Sequence, residues 1–243
     1  FKSASGIKTS KVRIDSGLAS NVAGSGSSAE LVINGAVLEL QVDGDTVDRW
    51  TGVGESGFGV TPNRISGYPG NTISGATTYG SSIGGGGADG LVNTVTGPFS
   101  VIAGGRLNTV SGGGSFIAGG YGNIASNDSC SIGGGAANTA SGTGSTIAGG
   151  SSNISSDDGT AVGGGFNNTA SGEYSSVVGG LENTARGAYS VVVNGYQCKA
   201  GGHFSVAGVR RAHVRSIALG DAADDDGTCI WADAEGNEFT SDG

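Results

Sequence analysis

Methionine is absent from this chain, histidine occurs twice, cysteine three times, and aromatic residues make up only 6%. Each shortage excludes something. With so few aromatics, a core must be built from thin layers of Val, Ile and Ala. The three cysteines, Cys130, Cys198 and Cys229, are too few and odd in number for a disulfide framework. The two histidines, His203 and His213, leave any serine nucleophile without a base in a known catalytic pattern. No apolar run is long enough to span a membrane, and no signal-peptide pattern is present. The missing methionine and the start at Phe1 point to a processed product or an excised fragment.

Positive charge is short as well, with 12 Lys and Arg against 21 Asp and Glu, a net charge of −9. Between Ile217 and Gly243 stand Asp221, Asp224, Asp225, Asp226, Asp233, Glu235, Glu238 and Asp242, and no Lys or Arg. An acidic chain is a poor nucleic-acid partner, because that affinity comes from neutralising phosphates. The small basic cluster of Lys199, Arg210, Arg211 and Arg215 is read as facing the acidic tail or solvent.

Glycine is in excess, 51 of 243 residues, where an ordinary domain has about 7%. It falls in fixed columns. From Gly97 to Ser216 the chain divides into eight consecutive units of 15 residues. Ser100-Val-Ile-Ala-Gly-Gly105, Ser115-Phe-Ile-Ala-Gly-Gly120 and Ser145-Thr-Ile-Ala-Gly-Gly150 show the period most plainly. A short strict period signals a solenoid, whose coils cannot fold alone.

Within a unit counted from Gly97, position four is Ser100, Ser115, Cys130, Ser145, Thr160, Ser175, Ser190 and Ser205. Position six runs from Ile102 to Ala207, and position fourteen is mostly Ala or Val. Position twelve is Asn108, Asn123, Asn138, Asn153, Asn168, Asn183, Cys198 and His213. Side chains alternate across a strand, so four and six share one face and twelve and fourteen another. Each coil is expected to carry two short strands, with Gly-Gly at positions eight and nine making one bend and Ser-Gly at the unit boundary the other. Stacking would set Asn on Asn, a ladder of buried amides bonded to one another. The fold class is therefore all-β, a parallel β-roll of 15-residue coils.

Three segments follow from this reading: residues 1–58 as an N-terminal β region, 59–216 as the solenoid and 217–243 as an acidic C-terminal β segment. In the first, Glu30 to Val42 reads as a β-hairpin about Asn34-Gly35, Lys11 to Asp15 as a further strand and Ser16 to Ser28 as a loop. In the second, the distance from Asn71 to Asn93 exceeds the period, and the surplus is read as one extruded loop.

Positions five and seven lie on the outer face of the first strand, yet are mostly small or apolar: Val101 and Ala103, Phe116 and Ala118, Ala161 and Gly163, Ser176 and Val178, Val191 and Val193. A strand apolar on both faces is usually buried on both. The coil interior covers one face, so a further copy of the chain is expected over the other.

The runs Ser-x-Ile/Val-Ala-Gly-Gly followed by Asn-Thr-Ala-Ser-Gly, over roughly residues 59–220, resemble the head repeats of YadA-like trimeric autotransporter adhesins. Similar repeats occur in trimeric bacteriophage tail-fibre-like proteins. The resemblance implies a left-handed parallel β-roll, three chains around one axis and a place on a cell or virion surface, outside the cytoplasm. Head repeats of that family are commonly a residue shorter. Gly220 to Asp233 is similar to the segment that precedes a self-cleaving chaperone in the fibre-like proteins, so removal of such a domain after Gly243 is an expectation.

No enzyme constellation, cofactor motif or nucleic-acid signal stands out. The recurring serines are ladder residues, and the glycine runs lack the Gly-Lys-Ser/Thr of a phosphate loop. Asp224, Asp225 and Asp226 leave a calcium site open, since hard cations take several carboxylate oxygens, although the spacing is not that of an EF-hand. His213 is placed in the asparagine column, where the copies of a trimer would meet at an axis if that column faced it. The outward column Thr109, Ile124, Thr139, Ile154, Thr169 and Thr184 raises ice binding on thin support. Variation concentrates at the bends, at Phe99, Arg106, Tyr121, Phe166, Glu173, Tyr174, Tyr189 and Tyr196. Of these, Tyr121, Phe166, Tyr174, Tyr189 and Tyr196 form the candidate ligand face. The expected function is a homotrimeric attachment fibre segment that meets a host-surface glycan or matrix protein by many weak contacts. The alternative is a self-assembling extracellular filament subunit.

Overall fold

A computed structural model describes residues 9–14, 29–34, 37–42, 45–51, 62–75, 77–214, 227–231 and 239–240. Four strands, β1 (Thr9–Ile14), β2 (Ala29–Asn34), β3 (Val37–Val42) and β4 (Asp45–Thr51), pair in sequence as an antiparallel meander. Pairing of Asn34 with Val37 closes the expected hairpin, while its two-residue connection and the Ser16–Ser28 stretch lie outside the described residues. β1 is the strand expected near Lys11.

Next come β5 (Asn63–Ser66), β6 (Thr72–Ile73), β7 (Ser82–Ile83), β8 (Thr94–Val95), β9 (Val101–Ile102) and β10 (Thr109–Val110). Strands β11 to β20 repeat the two-residue pattern from Phe116–Ile117 to Thr184–Ala185. The last strands are β21 (Val191–Tyr196), β22 (Lys199–Ala200), β23 (Val206–Arg210), β24 (Ala212–Val214), β25 (Cys229–Trp231) and β26 (Phe239–Thr240), of which all but β22 and β26 exceed two residues. β4 pairs antiparallel with β5, and from β5 onward pairing is parallel, each strand bonded to its counterpart in the next coil. Among the described residues one sheet has 15 strands and the other 11. The chain is thus an all-β parallel β-solenoid, with two strands per 15-residue coil.

The interior is one file of small layers. Ile102, Ile117, Ile132, Ile147, Val162, Val177 and Val192 line one wall, and Val110, Ala125, Ala140, Ala170, Ala185 and Ala200 the other, all at 0–1% exposure. Large faces small across the gap, which lets two sheets of two-residue strands close on each other without voids. Ser155 breaks the alanine column, and Thr160 stands in the serine column. Their hydroxyls bond to each other at 2.8 Å, so a polar pair sits buried at little cost.

The asparagine ladder forms, but its partners are mostly main chain. Asn138 donates through Nδ2 to the carbonyls of Gly134 and Gly150, both at 3.0 Å, and its Oδ1 accepts the amide of Asn153 at 3.0 Å. Direct amide-to-amide bonds occur only at some steps, such as Asn183 to Asn168 at 3.1 Å. Each Asn thus ties the glycine bend of its own coil to that of the next. The column begins before the regular repeat, at Asn71 and Asn93. Serines form a second ladder: Ser100 Oγ donates to the Gly112 carbonyl at 2.8 Å and accepts the Ser115 amide at 3.1 Å.

Two expectations about register are corrected. The surplus between Asn71 and Asn93 is not one loop. Partner separations of 18 residues from Asn63 to Ser81 and 19 from Ser81 to Ser100 put part of it at the corner after β6 and part at the corner after β7. Two short enlargements leave both sheets unbroken, which a single large loop at one corner would achieve less evenly. The eighth unit, moreover, is one residue short in its second half. Val191 pairs with Val206, but Gly195 pairs with Val209, across a bulge. His213 consequently pairs with Lys199, not with Cys198. Ala212, fully buried, takes the end of the asparagine column, and His213 moves to the outward column.

Candidate functional site

The corners decide what the surface presents. Position nine is glycine with φ between +79° and +96° from Gly105 to Gly180, and a Cβ there would run into the position-nine carbonyl of the next coil. Two further columns are left-handed. Position three is Phe99, Gly114, Ser129, Gly144, Gly159, Tyr174, Tyr189 and Phe204, and position eleven includes Leu107, Gly122, Ala137, Ser152, Asn167, Glu182 and Gln197, all with φ between +54° and +68°. Such conformations are uncommon for side-chain-bearing residues, and for bulky ones a local cost of about 1–2 kcal/mol each applies.

The expected ligand-face residues separate onto opposite corners. Tyr121, Phe166 and Tyr196 lie in position ten, on a line of parallel bridges that runs Arg106, Tyr121, Ala136, Ser151, Phe166, Leu181, Tyr196. Tyr174 and Tyr189 lie at position three on the other corner. There Tyr174 stacks on Tyr189 with centroids 5.3 Å apart, and Tyr189 on Phe204 at 5.0 Å with rings 4° from parallel. The rings remain about half exposed, at 52%, 48% and 62%. Phe99 meets Tyr79 edge to face at 5.0 Å. Two strands stand between the corners, so these tyrosines do not make one face.

At the position-ten corner, Gly86, Gly87, Gly105, Gly120 and Gly135 floor a shallow groove of about 450 Å³, bordered by Ala88, Arg106 and Tyr121. Its floor is bare because position nine admits no side chain. The Arg106 guanidinium lies 5.5 Å from the centre of the Tyr121 ring, a cation–π contact. A second cavity, of about 370 Å³, lies at the coils where the period slips and is lined by Glu182, Gln197, Lys199 and His213. Gln197 Nε2 donates to Glu182 Oε2 at 2.8 Å, and His213 Nε2 is 2.9 Å from the Gln197 carbonyl.

No family model matches the chain, and no curated protein matches it.

The geometry adds to the remaining sequence readings. The position-four serines are buried, and their hydroxyls serve main-chain groups, as ladder residues should. Asp224, Asp225, Asp226 and Arg215 lie outside the described residues. No group of three or more His, Cys, Asp or Glu that could hold a metal occurs among the described residues. No helix among them is long and apolar enough to cross a membrane. Of the outward Thr/Ile column, Ile124 and Ile154 are exposed. Lys199 and His213 continue the same column. Sequence reasoning missed this cavity because it kept His213 in the asparagine column. The signal was present: shifting Val209 onward by one residue puts Ala212 inward and the imidazole outward.

Proposed function

We propose that this chain is the β-solenoid segment of an attachment fibre, working as a homotrimer on a cell or virion surface. The observation that carries the reading is the outer face of the first sheet. Position seven is exposed in coil after coil, with Val178 at 56% and Val193 at 36%, and Phe116 at position five is 40% exposed. Positions five and seven are small or apolar in most coils, with Ser131, Thr146 and Ser176 as the polar exceptions at position five. Apolar surface that recurs along one flank marks an interaction site. A partner that covers it must be straight and carry the same spacing between layers, and a second copy of the chain meets both demands. Three copies would hold their outward corners, the aromatic column and the glycine-floored groove, in triplicate along a rigid rod. Weak contacts to a glycan or a matrix protein then add through linkage.

Static light scattering on the chain tests this. A mass three times that of the 23.5 kDa chain supports the reading, and a stable monomer overturns it. Long assemblies without a fixed mass favour the filament subunit instead.

A further inference from the structure

The cavity between Glu182, Gln197, Lys199 and His213 differs in kind from the rest of the solenoid surface. Elsewhere the outward column holds Thr and Ile, and position eleven holds Leu107, Gly122, Ala137, Ser152 and Asn167. Over the last three coils position eleven holds Glu182, Gln197 and Arg211, and the outward column holds Thr184, Lys199 and His213. The one-residue slip is what sets His213 beside Lys199. A 370 Å³ hollow is at the small end of ligand pockets, of the order of 300–1,000 Å³.

We infer that this cavity binds a hydroxylated carboxylic acid of monosaccharide size, an acidic sugar, free or at the end of a glycan. The chemistry is divided across the site. The Lys199 ammonium forms no hydrogen bond or ion pair among the described residues, and it is the charged donor that a carboxylate requires. The other groups are acceptors. A carbonyl can only accept, so His213 donates through Nε2–H to Gln197 and keeps Nδ1 as an acceptor in the neutral ring. Glu182 Oε2 takes the Gln197 amide, which leaves Glu182 Oε1 and Gln197 Oε1 open. One cation beside three spread acceptors suits one carboxylate and several hydroxyl donors. A bare anion such as sulfate would meet the Glu182 carboxylate unfavourably, and a compact ammonium cannot reach all the acceptors at once. The site lies within one chain, so it stands or falls independently of the trimer proposed above.

Glucuronate titrated into the 15N-labelled protein is the test, with glucose, acetate and glycine as controls. The expected result is saturable shifts at Glu182, Gln197, Lys199 and His213 with glucuronate, and weaker or no shifts with each control. Lys199→Gln should weaken glucuronate at least about tenfold, the usual loss for one hydrogen bond to a charged group, with an unchanged spectrum elsewhere. Glu182→Gln and His213→Thr should each weaken it while leaving the coil register intact. No shifts at these residues with either free glucuronate or an oligosaccharide ending in glucuronate would overturn the inference. So would acetate or glycine equalling glucuronate, which would reduce the site to charge pairing alone. An oligosaccharide ending in glucuronate that binds where the free sugar does not would place the site on glycan ends and support it.

Discussion

At the residue scale, the glycines at positions eight and nine of the bends can have different duties, as Gly149 and Gly135 show in neighbouring coils. Gly135 has φ +88° and its missing Cβ would strike the Gly150 carbonyl, whereas Gly149 faces open space and is not left-handed. Gly135→Ala should therefore cost more than about 2 kcal/mol, since left-handed strain and a backbone clash add. Gly149→Ala should stay within about 0.5 kcal/mol or stabilise slightly. Urea denaturation of the two variants checks the pair, and equal losses would refute the distinction. The cysteines divide in the same way. Cys130 and Cys198 are buried and Cys229 is exposed. Burial pushes the Cys198 thiol above its ordinary value of 9.0, with main-chain hydrogen bonds at Ala212, Tyr196 and Arg211 pulling partway back. Because the folded value is the higher one, its contribution to stability is whole below the unfolded pKa and is lost as pH rises through the folded one. A thiol reagent at neutral pH should label Cys229 alone in the native protein. Cys198→Ala should lessen the fall in stability as pH rises above 9.0.

At the scale of the element, the strands were legible and the corners only half so. Alternation of Ser, Ile, Asn and Ala under a fixed period names the inward residues directly, because a strand has only two faces. The glycine at position nine could be read as a bend for the same reason. What the period does not reveal is that positions three and eleven are left-handed, since Tyr174, Tyr189 and Glu182 stand there beside Gly114 and Gly122. A column that mixes glycine with large residues was the available signal, and it reads as ordinary variation unless backbone angles are considered. The slipped eighth unit was hidden for a related reason: one missing residue at a corner changes no composition, only the face each later residue takes. The aromatic column invites its own test. In Tyr189→Gly, relief of about 1–2 kcal/mol of left-handed strain opposes the loss of two stacked pairs worth about 0.5–1.5 kcal/mol each. Thermal melting should move little, and a drop of many degrees would make the ladder a structural part rather than a surface feature.

For the whole molecule, the question is what covers the outer flank of the first sheet. Val178, in the sixth of the eight regular units, lies on the proposed seam and outside the coil interior. Val178→Asp should dissociate the assembly while its circular dichroism keeps the β signature. A charge tolerated there with the native mass unchanged would remove the outer stripe as the contact surface. Loss of the fold itself would mean that coils and assembly form together, which a companion variant, Val178→Ser, would separate by weakening the seam without burying a charge.

From Asn108 to Asn183 each coil bonds to the next through the same asparagine and the same glycine-bend carbonyls, while Cys130 and Thr160 stand in for serine in the second ladder, so one coil is nearly interchangeable with another. The rod is in that sense a ruler graduated in steps of about 4.8 Å, the spacing of paired strands. A whole number of 15-residue units can be added or removed between Gly97 and Gly187 with every ladder rejoined, whereas a gain of one residue inside a strand turns every later side chain inside out. Length in such a molecule is heritable in fixed increments, and the reach of whatever the rod carries is set by copying or losing a unit rather than by redesigning one.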